Sequence, residues 1–172
     1  MRRLFVVLVA GMVGAALFAG PAAAGGKPPK NKAKAEEAIN EAYACFLDGS
    51  LGYTYEQKAE CVAGVADDEE LLALMEETGE ANAASAAQAN FEIEEIQFRN
   101  KKSAEVNFNL VIGGEVLAGI APPGGAVLVK DDGDDKKVWK VSTLTFCNLT
   151  ALSNSAVASE GPCADVIVED SV

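Results

Sequence analysis

Around Asn90 the apolar pattern of this 172-residue chain changes period, from a repeat of three to four residues to strict alternation, and few architectures accommodate that order. Upstream, Ala35, Ala38, Ile39, Ala42 and Phe46 fall at helical spacing with Glu36, Glu37 and Glu41 on other faces, and Asp48-Gly49 marks the stop. A second helix is expected from Thr54, as N-cap, to Val65. Asp67 is expected to cap a third, with Asp68, Glu69 and Glu70 at the positive end of its dipole and Leu71, Leu74 and Met75 as its buried stripe. Gly79 would kink or end that helix, and Ala81 to Ala89 adds a further helical piece. Downstream, Phe91 and Ile93 share one parity and Ile96 and Phe98 the other, which predicts a bulge near Glu94 and Glu95. Ala104, Val106, Phe108, Leu110 and Ile112 alternate with Glu105, Asn107 and Asn109, as a half-buried antiparallel strand does. Turns at Gly113-Gly114, at Pro122 to Gly125 and at Asp131 to Asp135 would lead to strands at 115–120, 126–130 and 137–146. The expectation is an α+β domain, N-terminal helices packed on a curved antiparallel β-meander.

The first 24 residues read as an export signal. Arg2 and Arg3 precede an apolar run from Leu4 to Phe18, Gly20-Pro21 breaks it, and Ala22-Ala23-Ala24 offers a small-residue cleavage site before Gly25. The run is shorter than the roughly 20 residues a membrane span needs. No cysteine follows it for lipid attachment, and the expectation is general secretion with cleavage between Ala24 and Gly25. Residues 25–34 read as a flexible leader rich in Gly, Pro and Lys, 35–152 as the folded domain and 153–172 as a tail tethered by Cys163. The chain carries 14 basic and 26 acidic residues, so losing Arg2 and Arg3 takes the formal charge from −12 to −14. Such a balance disfavours nucleic acid and anionic membrane surfaces as partners.

In an oxidising compartment Cys45, Cys61, Cys147 and Cys163 are candidate disulfide partners. Both gaps are 16 residues, and pairing in sequence is the expectation among the three connectivities that four cysteines allow. No metal site is expected, since the chain has no histidine and no closely spaced cysteine pair.

The absence of histidine also removes Ser-His-Asp and Cys-His catalysis. Carboxylates and tyrosines remain: Tyr43, Tyr53, Tyr55, Asp48, Glu92 and Glu105 are the groups that burial could retune for proton transfer. None lies in a catalytic motif, so no catalytic residue and no cofactor are assigned. The turn from Asp131 to Asp135 lacks the spaced ligands of a calcium loop and reads as a solvated hairpin tip. Asn148-Leu149-Thr150 has the form of a glycosylation acceptor but follows Cys147 directly and is set aside.

The run Lys137-Val138-Trp139-Lys140-Val141-Ser142 after an Asp-Gly turn, then Thr145-Phe146-Cys147-Asn148-Leu149 with Cys163 beyond, resembles the nuclear transport factor 2-like (cystatin-like) cone. More narrowly it resembles the secreted actinobacterial branch that includes the mycobacterial low-molecular-weight antigens; the pair Cys45 and Cys61 departs from that branch. The resemblance implies secretion, a concave sheet closed by helices and often a dimer, here through the sheet face, but no single function. The expected role is a secreted, non-catalytic module holding a small apolar ligand among residues such as Phe91, Phe108 and Trp139, or binding a protein partner. The alternative is a structural, antigen-like protein whose core is filled by its own side chains, and a cone-fold enzyme is third.

Overall fold

The computed structural model describes residues 27–130 and 136–169. The expected signal segment, its cleavage point at Ala24 and Gly25, and the turn from Asp131 to Asp135 lie outside the described residues.

Helix α1 (Lys32–Leu47) starts three residues before the expected boundary, because the Asn31 side chain accepts a hydrogen bond from the Lys34 N–H at 3.2 Å and caps it. Lys32 to Lys34, read in the sequence as the end of the leader, form its first turn. Its buried face is Ala35, Ile39, Ala42 and Tyr43. Thr54 caps α2 (Tyr55–Ala59) through a reciprocal box with Gln57. The helix then stops, short of the expected Val65, because the chain is needed elsewhere: Val62 bridges Val141 in parallel, with hydrogen bonds from Ala63 N to Val141 O and from Val141 N to Cys61 O, both 2.9 Å. That short segment covers an otherwise open sheet edge.

Helix α3 (Glu69–Ala81) is capped by Asp68, not Asp67, whose carboxylate accepts from Glu70 N and Leu71 N at 3.0 and 3.1 Å. Leu71 and Met75 are buried, Leu74 partly so. The helix passes through Gly79, where a Cβ would overlap the Tyr55 ring. Glycine here permits close approach of α2 instead of breaking the helix. A one-turn α4 (Ala83–Ala86) follows.

The sheet comprises β1 (Ala89–Phe98), β2 (Ser103–Ile112), β3 (Glu115–Leu117), β4 (Gly124–Lys130) and β5 (Lys137–Val141), all antiparallel and curled around α1. The register of β1 on β2 shifts between Ile93 and Glu95, the predicted bulge. One extra residue returns Phe91, Ile93, Ile96 and Phe98 to a single inner face opposite Leu110, Phe108, Val106 and Ala104. The later strands depart from the simple meander. β3 pairs with the 110–112 end of β2 and β4 with its 103–106 end, so both share one edge of β2. Gly124 and Gly125, expected in the turn, belong to β4.

The expected strand at 137–146 ends at Val141. Ser142 accepts from Thr145 N at 3.3 Å and caps α5 (Thr143–Ser153). Its buried residues Thr145, Phe146, Cys147 and Thr150 lie at helical spacing, and their burial overrides the alternating look of Leu144 and Phe146. A short helical turn (Ser155–Ala158) and α6 (Ala164–Glu169) follow, with Val157 and Cys163 buried, so this segment packs on the domain. The structure joins Cys45 to Cys61, tying α1 to the end of α2, and Cys147 to Cys163, tying α5 to the start of α6.

Candidate functional site

The sequence candidates for catalysis do not converge. Tyr43 is fully buried, its ring edge-on to Phe108 at 5.2 Å and tilted to Phe91 at 6.1 Å, and its hydroxyl donates to Gly125 O at 3.2 Å. Burial pushes its phenol above the ordinary range, with the Thr145 hydroxyl acting in the opposite sense. A Cβ at Gly124 would collide with the Tyr43 hydroxyl and lie 2.9 Å from the Phe108 ring, so the tyrosine is a packed core residue over a glycine step. Tyr53 is exposed. Asp48 caps the helical turn after α1 by accepting from Ser50 N and Ser50 Oγ at 2.8 and 2.6 Å. Glu92 lies on the outer face of β1, opposite Asn109. Glu105, also on the outer face, pairs with Arg99. Among the described residues no cluster of carboxylates and cysteines could hold a metal ion, and no helix is long and apolar enough to cross a membrane.

Of the expected ligand-lining aromatics, Phe91 and Phe108 form no pocket, whereas Trp139 lines an open, more polar concavity of about 820 Å³ between α1 and β5, with Lys34, Glu41, Glu60, Lys137 and Lys140 in its wall. Phe91 and Phe108 close on Tyr43, and Trp139 packs edge-on to Phe98 at 5.8 Å. The interior around Tyr43 is filled.

The concavity that suits a ligand lies at the other end of the sheet. It is an open apolar pocket of about 350 Å³, walled by Phe46 and Leu47 at the end of α1, Met75 on α3, Leu110 and Ile112 on β2, Leu117 on β3, and Phe146 and Leu149 on α5. Phe46 and Phe146 meet edge to face at 6.2 Å across it. Two rim side chains, Ile120 and Leu152, are 51% and 49% exposed, among the most exposed large apolar residues described. A volume near the lower end of the roughly 300–1,000 Å³ range for small-molecule sites, with a mostly apolar wall, is what such sites share.

Several polar lining groups are already engaged by helix carbonyls. Thr150 Oγ1 donates to Phe146 O at 3.0 Å, Ser153 Oγ to Thr150 O at 2.9 Å, and Asn82 Nδ2 to Thr78 O at 2.8 Å. Lys58 is the one charged residue among those described in the wall. No hydrogen bond or ion pair engages its ammonium among the described residues. Burial pushes its pKa below the ordinary value, and the Asp48 carboxylate opposes that shift. Its helix is held at one end by the Thr54–Gln57 box and beyond the other by Cys61, disulfide-bonded to Cys45 next to Phe46.

This pocket is hidden in the sequence because α5 supplies Phe146, Leu149 and Leu152, and the start of α5, residues 143–146, reads as the end of a strand. The signal that could have found it is Ser142 as an N-cap three residues before Thr145, with Phe146, Leu149 and Ser153 following at helical spacing.

Among curated proteins none matches this chain. A crystal structure of a domain of unknown function with a cystatin-like fold, from Nostoc punctiforme, is similar over 64% of this chain and 75% of that one, at 15% identity and a TM-score of 0.40. The family described as the low molecular weight antigen MTB12, C-terminal domain, matches residues 32–157, from the first residue of α1 to the helical turn after α5; the chain belongs to this family.

Proposed function

We propose that this is an exported, non-catalytic binding module that holds a small apolar ligand in the pocket between α1, α3, α5 and the open end of the sheet. The observation that carries the reading is the contrast within one core: closed beneath Tyr43, hollow and apolar beside Phe46 and Phe146. Of the six candidates Tyr55 alone lines this pocket, while Tyr43, Tyr53, Asp48, Glu92 and Glu105 are scattered elsewhere, which supports a non-catalytic role, since proton transfer needs such groups within reach of one substrate. Export is supported by the N-terminal pattern, by the two disulfides and by the antigen family. Nucleic acid is no part of the reading, given the net charge of −12. Nor is a homodimer through the sheet: Glu92, Glu94, Glu95 and Glu105 lie on the outer face of β1 and β2, and a second copy would bring like carboxylates together.

Native mass spectrometry on protein taken from its host's culture medium, without reductant, tests both halves. A mass beginning at Gly25 with a retained small molecule is expected. A chain that comes bare and takes up no neutral apolar dye would overturn the ligand reading in favour of a filled-core interaction protein.

A further inference from the structure

Resting on that reading, we infer that the ligand is an amphipathic anion, an apolar chain seated between Phe46, Leu110 and Phe146 with its acidic head at the Lys58 ammonium. A pocket for a wholly apolar molecule gains nothing from a half-buried cation, because partial desolvation of an ammonium with no acceptor is a cost. Here the cost is maintained in a wall whose other residues carry no charge. Thr150, Ser153 and Asn82 are turned to their own helices, and beside the neutral Tyr55, Thr78 and Ser85 the wall offers Lys58 as its charged group for a ligand. Its placement is also constrained: the capping box precedes it in α2 and the Cys45–Cys61 bridge follows it, so the side chain projects from a braced turn instead of a loose loop. A charge-assisted contact at a partly desolvated site is the stronger kind of hydrogen bond. The surrounding protein opposes the same ligand, since a chain of net charge −12 repels anions at long range. At about 0.15 M salt that field is screened beyond roughly 8 Å, and the local lysine decides.

The test compares three single-chain probes of matched length, decanoate, decanol and decyltrimethylammonium, by calorimetric titration of the full disulfide-bonded protein at that salt. Decanoate is expected to bind about tenfold more tightly than decanol, with the cation weakest. Lys58→Met should abolish the preference for decanoate over decanol, and Lys58→Arg should keep it. Far-UV circular dichroism establishes that both variants are folded. Equal binding of decanoate and decanol by the native chain, or tightest binding of the cation, overturns the inference about charge while the apolar pocket stands. Failure of all three probes overturns the pocket reading itself.

Discussion

Replacing Tyr43 by phenylalanine should give a stability difference that changes sign with pH. At neutral pH the variant loses one hydrogen bond, from the hydroxyl to Gly125 O, but that carbonyl still accepts from Ser142 N at 2.9 Å, so no buried acceptor is orphaned. A cost of about 1 kcal/mol follows. In the folded chain the phenol stays protonated well above its ordinary value of 10.0, because burial disfavours the phenolate. In the unfolded chain it ionises near that value. The native tyrosine's contribution is therefore complete below pH 10 and is lost as pH rises, since only the unfolded state releases the proton. By pH 11 that release stabilises the unfolded native chain by about 1.4 kcal/mol, while Tyr43→Phe has no such term. Urea denaturation followed by circular dichroism should thus find Tyr43→Phe less stable by about 1 kcal/mol at pH 8 and equal or slightly more stable at pH 11. A gap that stays constant across this range would mean that the hydroxyl reaches solvent in the folded state, and would refute the closed core around Tyr43.

Reduction should lower stability sharply, by roughly 3 kcal/mol for each disulfide in the chain-entropy model, and thermal melts with and without reductant measure it. Reduced protein that is still folded should also bind decanoate more weakly, because Cys45–Cys61 braces the Lys58 turn against α1. Gly124→Ala should cost about 1–3 kcal/mol in urea denaturation, since its Cβ would meet the Tyr43 hydroxyl, the Phe108 ring and Thr145 Cγ2, all in the packed interior. Asp68→Ala should remove about 1 kcal/mol by leaving Glu70 N and Leu71 N without their cap, whereas Asp67→Ala should change little.

The change of period at Asn90 carried the architecture, and the parity switch between Ile93 and Ile96 located the bulge, because both follow from which side chains must face inward. Cap chemistry was legible at Thr54, where Gln57 completes a box three residues on. It was ambiguous at Asp67-Asp68, where two adjacent aspartates compete and the burial of Leu71 selects the second. Thr143 to Phe146 misled because alternation over four residues fits a strand, while the helix that forms there is fixed by non-local burial of Phe146 and Cys147. The sharing of the β2 edge by β3 and β4 is likewise non-local, set by where Pro122 and Pro123 let the chain rejoin the sheet. The pocket was the least legible part. Its wall draws on every major helix and three strands, and Lys58 gains meaning only from neighbours remote in sequence.

The most direct test of the central claim is a methyl-resolved NMR titration of the disulfide-bonded protein with decanoate. The account predicts saturable shifts at Leu110, Ile112, Leu117, Ile120 and Leu149, with Ile39 beneath the closed end and Val127 on the outer face unmoved. Shifts centred on the outer face, or none at any methyl, would contradict it.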